Sequence, residues 1–427
     1  MMILDSITLY LNNTAVMMTS YRLTFNMFSG AGTFEADIDH TLVIDLSAGP
    51  VQFKIVIDET PMMLGYIERV DRSYLKTDIR QSISGRDMMQ VLIDNYVAEP
   101  HEYPGRPVAI SPLAKLFGQN TSVLSSIPLH AIISDVWNSS KQVAGVNVFD
   151  DSAKGKIRYT ALNPVFQLPA INFPVYADNA QNHKLFAMKK VRVGHGQSLF
   201  EFISHMCNGL GLYLYNVPGT NDILIHSIQN SAPIRSYNKR CEPVDTVLTI
   251  KNKPGDPGNN VIDGRFNMDI SEYYKMLRFI GQCQSEETLY ETAGRSYLVT
   301  EKIEHDDIGG GYTGLNKFKA KIINVLDMNV WRHEQGRLMA NELMEQNKKL
   351  YGLEYTVAGH SPDGHTPYFF NVAANVTDDI FRISNKNFLV YGVEYNGSKT
   401  AGQTTRLSLY SPSEVSTTIT NADIPSS

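Results

Sequence analysis

Tryptophan and cysteine are scarce in this chain, and each shortage removes a class of function. Trp137 and Trp331 are the two tryptophans in 427 residues. Both stand in helix-like contexts, so the exposed tryptophan platforms expected of a carbohydrate-binding module are missing. The three cysteines, Cys207, Cys241 and Cys283, are far apart, odd in number and form no CxxC pair. They indicate neither a disulfide framework nor a thiolate metal site, and read as small buried hydrophobes in a reducing compartment. A basic excess is also lacking: Lys and Arg total 38 against 44 Asp and Glu, a net charge of −6. A protein that grips phosphate backbones carries a basic surface, so nucleic acid is excluded as a firmly held ligand. Transient passage of DNA along a neutral or acidic wall stays compatible with that charge. No run approaches the ~20 apolar residues of a membrane span. The opening Met1-Met2-Ile3-Leu4-Asp5 places an acid where a signal peptide would be apolar. Synthesis in a cytoplasm, without stable membrane association, is the expectation.

Catalytic and metal constellations are equally thin. Eleven histidines include His183, His195, His205 and His226, without HExxH or a two-His-one-acid spacing. His195 and Cys207 could be cast as a nucleophilic pair, but Cys207 ends an apolar helical stripe where a core role is favoured. Asp150-Asp151 and Asp306-Asp307 are adjacent acids of the kind that form solvated turns rather than glycosidic acid–base pairs. Gly194-His195-Gly196 and Gly309-Gly310-Gly311 lack the Lys-Ser/Thr ending of a P-loop and the strand–helix frame of a dinucleotide site. The expectation is therefore no catalytic residue, no cofactor and no metal. Tyrosine, at 22 residues, is plentiful in the way of wet protein–protein surfaces.

What is present is β patterning at both ends and mixed patterning between. A hydrophobic content of 43% supports several packed domains. Residues 1–98 alternate as short antiparallel strands: Ile7, Leu9 and Leu11; Phe34, Ala36 and Ile38; Leu42, Ile44 and Leu46; then Phe53, Ile55 and Ile57. Strands through Gly65–Ile67 and Ile79–Ile83 follow, then a helix on which Met88, Val91 and Leu92 share a face. Strands this short, with turn residues between them, predict a small barrel or sandwich. Prolines 100, 104, 107 and 112 mark a boundary. Residues 99–250 turn α/β, with amphipathic helices carrying Leu129–Trp137 and Leu199–Met206, then a hairpin about Pro218-Gly219-Thr220-Asn221. Beyond the linker Lys253–Gly258, residues 251–427 return to β, with an insertion at about 285–316 and a long helix near Glu334–Leu350. Strands are expected at Leu353–Val357, Phe388–Tyr395 and Thr404–Leu409. A faint internal echo pairs the hairpin Gly65–Ser84 with the hairpin Gly392–Leu409.

The order of these features resembles the baseplate hub proteins of Mu-type contractile-tailed phages, akin to the late protein D family and the hub part of VgrG proteins. The likeness rests on Phe53–Ile57, Gly65-Tyr66-Ile67, and above all Ser84-Gly85-Arg86-Asp87 with Leu92-Ile93-Asp94 behind it. Ser198–Ile203 through Gly211, Tyr273-Tyr274 with Leu277 and Gly281, Tyr355-Thr356-Val357, the loop Gly359–Pro367 and Leu389–Val393 continue it. It spans about two-thirds of the chain and leaves about 152–189 and 285–316 without a counterpart. What it implies is a mostly β, α+β protein. Two antiparallel β-barrel domains per subunit would form a pseudo-sixfold ring in a homotrimer, with α/β domains between or beside them. It further implies a structural, non-enzymatic hub in the virion tail baseplate, made in the host bacterial cytoplasm. That hub would join a hexameric tail tube to a trimeric spike, touch baseplate wedge proteins and let DNA pass. The hub of a headless bacteriocin or secretion particle is the alternative reading. A tail-associated carbohydrate-binding or cell-wall-degrading protein is a weaker one.

Overall fold

Each strand forms where apolar residues recur every second position, and one sheet collects strands from both ends of the chain. The computed structural model describes residues 5–75, 78–96, 196–208, 212–227, 243–268, 351–362, 366–399 and 402–410, with shorter segments at 236–238, 276–284, 296–304, 320–324 and between 101 and 193. The N-terminal strands are β1 (Ile7–Leu11), β2 (Thr14–Val16), β3 (Met18–Asn26), β4 (Thr33–Ile38), β5 (Gln52–Ile57), β6 (Thr60–Leu75) and β7 (Asp78–Asp87), followed by helix α1 (Gln90–Asp94). The middle region supplies α2 (Leu199–Asn208) and the hairpin β8 (Leu212–Asn216) and β9 (Asp222–Ser227). C-terminal strands are β10 (Leu248–Asn252), β11 (Val261–Met268), β12 (Tyr351–Ala358), β13 (Val372–Asp378), β14 (Ile383–Ser398) and β15 (Gly402–Tyr410).

The main sheet has 13 strands, ordered β2-β1-β5-β6-β7-β4-β3-β14-β15-β12-β11, with β13 on β14 and β10 on β13. It is open. No sheet among the described strands closes on itself, which corrects the expectation of two barrels and removes the basis of the pseudo-sixfold ring. The physical reason is visible at β3, whose second edge pairs with β14 of the other half instead of returning to its own.

A repeat lies inside this order. The series β5-β6-β7-β4-β3 recurs as β13-β14-β15-β12-β11, each strand in the same chain position relative to its neighbours. The irregularities recur with it. The pairing shifts at Thr19 in β3 and at Ile262 in β11, and at Glu68 in β6 and Tyr391 in β14. Both β5·β6 and β13·β14 are interrupted as well. Registers then coincide: Phe34 faces Gly85 as Leu353 faces Leu409, and Ala36 faces Ile83 as Tyr355 faces Leu407. Bulges fix register by inserting one unpaired residue, so matching bulges are a stronger sign of duplication than the sequence echo was. The bulges set Gly392 against Arg69, not Gly65, so the echo joined the right hairpins four residues out of step.

Two cores hold the structure. The larger joins Leu9, Leu23, Phe34, Phe53 and Ile55 to Tyr355, Tyr395, Leu407 and Leu409, all at most 1% exposed. The smaller packs α1 and α2 over β8 and β9 through Met88, Leu92, Leu199, Ile203 and Ile225, with Ile132, Ile133 and Val136 of the expected helix. α2 opens with a capping box: Glu201 N–H donates to Ser198 Oγ at 3.1 Å, and Ser198 N–H donates to Glu201 Oε2 at 3.1 Å. The turn between β5 and β6 puts Asp58 and Glu59 at φ of 44° and 66°, the backbone of a type I′ hairpin. Leu42, Ile44 and Leu46 form no strand. They lie in a turn and a short 3-10 helix, pressed half-buried against the large core. The helix near Glu334–Leu350, the insertion around 285–316 (beyond strands Met276–Gln284 and Ser296–Glu304) and the Ser/Thr-rich tail fall outside the described residues.

Gly85 shows how tightly the first half is built. Phe34 lies opposite it and stacks on Phe53, ring centroids 4.8 Å apart. A Cβ at Gly85 would stand 2.9 Å from the Phe53 ring and collide with the Tyr66 carbonyl. Gly85→Ala is expected to cost about 1–3 kcal/mol through overpacking, and Phe34→Ala about 3–5 kcal/mol through the cavity it leaves. Urea midpoints at unchanged slope measure both; a Gly85→Ala protein as stable as the parent would refute the close packing.

Candidate functional site

The pleat sorts the long sheet into an apolar face and a polar one, because paired residues point the same way and alternate along each strand. On the polar face, β3 places Ser20, Arg22 and Thr24 beside Asp37, Glu35 and Thr33 of β4. These continue to Ser82 and Ser84 of β7, then Asp71 and Arg69 of β6. Across the midline the face runs through Glu394, Arg406, Glu354 and Arg265, with Asp263 at the far edge. Arg80 and Arg86 complete the arginines. Six arginines thus meet six acids, and much of the remainder is Ser and Thr. Charges are paired: Arg22 Nε lies 3.1 Å from Glu394, Arg69 Nε lies 2.6 Å from Asp71, and Arg406 bridges to Glu354. A shallow cleft of about 390 Å³ opens over Ser20, Arg22, Glu35, Asp37, Arg69 and Asp71.

Two buried polar anchors hold this face to the rest of the molecule. The first is Ser84-Gly85-Arg86-Asp87. Arg86 donates to Glu68 and, at 2.9 and 3.0 Å, to both carboxylate oxygens of Asp94. Those bonds to Glu68, with Asp94 behind, push its guanidinium further up. Asp87 is buried and accepts from Gly32 N–H at 2.8 Å and Met89 N–H at 3.0 Å. Burial lifts its carboxyl to about 7 against the pull of those bonds and of Arg86. The motif therefore clamps the end of β7 to α1 and the β3–β4 turn.

The second anchor spans the chain from end to end. Tyr21 Oη and His360 Nε2 are 2.6 Å apart, and His360 Nδ1 lies 3.0 Å from Thr405 Oγ1. Thr405 donates onward to the Gly359 carbonyl at 2.7 Å, so its oxygen accepts from Nδ1–H and Nε2 accepts from the tyrosine. His360 is neutral in this arrangement, and burial pushes its imidazole down to about 4 against the Asp58 charge. Burial likewise raises the Tyr21 hydroxyl to about 12. Asp5 accepts from the His360 backbone N–H and from Ser361 Oγ at 3.0 Å, and the same hydroxyl lies 2.9 Å from Asp58.

Of the nucleophilic pair weighed in the sequence, Cys207 is buried in α2 with its thiol raised by burial, and His195 lies outside the described residues, as do His183, Asp306-Asp307 and Gly309-Gly310-Gly311. Asp150-Asp151 have described backbone in the strand Asn147–Asp151 rather than a turn. Among the described residues no His, Cys, Asp and Glu cluster could hold a metal ion, and no helix is long and apolar enough to cross a membrane. Sequence reasoning missed β3 altogether, and with it Tyr21 and the contact to His360, whose partners are 339 positions apart. The capping box Ser198-x-x-Glu201 was legible and passed over.

No family model matches the chain, and no curated protein sequence matches it. Solved structures do. A tail protein from Neisseria meningitidis superposes with a TM-score of 0.62 at 15% identity, over 95% of this chain and 96% of that one. The 43 kDa tail protein of prophage MuSo2 from Shewanella oneidensis gives 0.62 at 14%, over 96% and 98%. An E. coli component of the type VI secretion system, itself described as similar to T4 tail proteins, gives 0.50 at 9%, over 96% and 80%. The fold is that of phage tail proteins. These likenesses run nearly from end to end and include the type VI system.

The two anchors should respond to pH in opposite senses. Asp87 has a folded pKa above its unfolded one, so its contribution is greatest below pH 4 and falls as pH rises through 7, by on the order of 4 kcal/mol. His360 has a folded pKa below its unfolded one, so its contribution is complete above pH 6.5 and falls as pH drops towards 4. In urea titrations the stability gap between parent and Asp87→Asn should narrow from pH 4 to 7, and that between parent and His360→Gln should narrow from pH 7 to 4. Gaps that stay constant with pH would refute both assignments.

Proposed function

We propose that this chain is a structural hub of a contractile phage-type tail baseplate, working as a homotrimer between the tail tube and the central spike. The observation that carries the reading is the end-to-end likeness to two tail proteins, from the Neisseria meningitidis chain and prophage MuSo2, with no segment left over for a separate catalytic domain. In this role the chain contacts tube, spike and baseplate wedge proteins and catalyses nothing. Its domains are 1–98, 99–250 and 251–427, the first and last joined through β3 and β14. Its place is the virion tail, assembled from protein made in the bacterial cytoplasm.

The polar face supports passage of DNA. A wall that held phosphates by counterion release would stall a moving duplex. Here each arginine is balanced by an acid, and the spacing residues are short hydroxyl side chains. The likeness to a type VI secretion component favours a second reading, the hub of a headless secretion or bacteriocin particle, in which the same wall passes protein.

Light scattering of the purified chain, alone and with its spike, should give three copies per assembly. Duplex DNA should show no retention in a mobility shift at about 150 mM salt and only weak retention at about 50 mM. A chain that stays a monomer with the spike present, or one that binds duplex firmly at the higher salt, would overturn the hub or the passage role respectively.

A further inference from the structure

Three segments far apart in the chain meet at one serine hydroxyl. Asp5 leads into β1, Asp58 stands in the turn from β5 to β6, and Ser361 follows the end of β12. Ser361 Oγ lies 3.0 Å from Asp5 Oδ1 and 2.9 Å from Asp58 Oδ2. The other two carboxylate oxygens are occupied: Asp5 Oδ2 accepts from His360 N–H, and Asp58 Oδ1 accepts from Ser6 N–H at 2.7 Å. A serine hydroxyl has one proton to donate. It satisfies one carboxylate, and the other then turns lone pairs towards the lone pairs of Oγ. Both contacts are attractive only when the second carboxyl carries a proton and donates it to Oγ.

No cation relieves the pair. Among the described residues the other titratable groups that face it are His360, from the loop behind β12, and Tyr21 of β3, with neither lysine nor arginine beside Asp5. His360 is neutral, as its bonds to Tyr21 and Thr405 require. From β15, Gln403 brings an uncharged amide, which donates to the Asp5 carbonyl at 2.8 Å. Asp5 is 6% exposed, so water does little to screen two like charges here. Burial foremost, with Asp58 adding to it, holds the Asp5 carboxyl above its ordinary range, against the bonds from His360 and Ser361.

We propose that Asp5 and Asp58 share a single proton across the Ser361 hydroxyl, and that this proton makes a pH-sensitive clasp between the N-terminal end of the chain and the loop behind β12. The clasp stands apart from the hub reading and joins the two halves of the sheet at a second point. Its position gives it leverage. Ser361 adjoins His360, so the same loop carries the bonds to Tyr21 and Thr405, and Gly359 N–H donates to the Gln403 carbonyl at 3.1 Å. Loss of the proton sets two carboxylates against each other at the foot of that network. By linkage, a carboxyl raised in the closed state holds the clasp fully below its ordinary value of about 4 and loosens it as pH rises to the closed-state value. His360 works the other way over part of that range, since the loop holds its neutral form.

An amide imitates a protonated carboxyl. The parent is therefore compared with Asp5→Asn and with Asp58→Asn at each pH, which leaves the His360 contribution common to all three. Asparagine at 58 keeps the turn, whose φ of 44° it adopts as readily as aspartate does. Hydrogen–deuterium exchange over residues 353–362 of the full-length protein, read by mass spectrometry from about pH 4 to 8 and corrected for intrinsic rate, reports opening of the loop. Opening of the parent relative to either amide variant should rise by up to tenfold per pH unit and then level. An infrared difference spectrum at about pH 5 should show the carbonyl stretch of a protonated carboxyl in the parent and not in Asp5→Asn. If Asp5→Asn fails to fold, the ratio to Asp58→Asn decides alone. A ratio that stays constant with pH overturns the proposal, as do amide variants whose loop opens more than the parent's at every pH, or a spectrum without that band.

Discussion

Backbone pairing between β3 and β14 is the interaction on which the rest of the structure depends. A strand edge in a protein interior must find partners for its N–H and C=O groups, and here the edge of a strand near the N-terminus finds them on one near residue 395. Seven residue pairs across that line turn two duplicated halves into one sheet with one apolar face. Everything on either face follows from their register. Phe25 reaches Tyr395 edge-on at 6.1 Å beneath it, while Arg22 meets Glu394 above it. A slip of one residue would turn Phe25 to solvent and Arg22 into the core. The Tyr21–His360–Thr405 chain of hydrogen bonds reinforces that register with a second contact between the same two halves, running from the half-buried Tyr21 to the buried His360 and Thr405. Such networks carry weight through specificity more than through net energy, since each bond contributes about 1 kcal/mol yet a broken one strands a buried polar group.

The Ser-Gly-Arg-Asp motif shows a different economy. It carried most of the family resemblance, and the contacts of Arg86 and Asp87 tie β7 to its neighbours. Gly85 is required by the approach of Tyr66 and Phe53, Arg86 by two carboxylates, and Asp87 by two backbone N–H groups that would otherwise be buried without acceptors. A motif can thus mark a fold because four adjacent residues meet four separate geometric demands.

How much of this was legible beforehand depended on distance along the chain. Local patterns were read well: the parity of Phe34, Ala36 and Ile38, the stripe Leu199–Phe202–Ile203–Met206 and the hairpin about Gly219 all stand where periodicity put them. The stretch Leu42–Ile44–Leu46 alternates too, yet it lies along the core edge without a partner strand, because alternation reports a buried face and not the hydrogen bonds that make a strand. β3 went unread for the opposite reason. Met18 to Asn26 carries Thr, Ser and Arg on its polar side and interrupts its own parity with a bulge at Thr19. Closure was misjudged for a deeper reason. Whether a sheet closes is decided by which edges meet, and edges separated by hundreds of residues leave no local trace.

That limit also explains why the repeat was better seen in hydrogen bonds than in letters. Under the bulge-matched register, Gly85 stands for Leu409, Arg72 for Tyr395 and Tyr74 for Gly397, so side-chain identity has drifted almost completely. What has been kept are the interruptions of pairing and the balance of charge. The first is expected, because a bulge sets which residues face the core for the whole strand beyond it, and losing one would invert that face. The second is less obvious. Core packing constrains only the apolar face, and the solvent side of a sheet is free to take any net charge that keeps the protein soluble. Yet Arg22 with Glu35 recurs as Arg265 with Glu354, on equivalent strands in equivalent pairs. A cross-strand ion pair at an exposed site contributes only tenths of a kcal/mol, too little to hold a residue in place for stability. What recurs in both halves is the placement of an acid opposite an arginine, while the ion pairs themselves run to other partners, Arg22 to Glu394 and Arg406 to Glu354. Opposite charges held this close present almost no field beyond a Debye length, so the face stays polar and hydrated without forming a trap for ions of either sign.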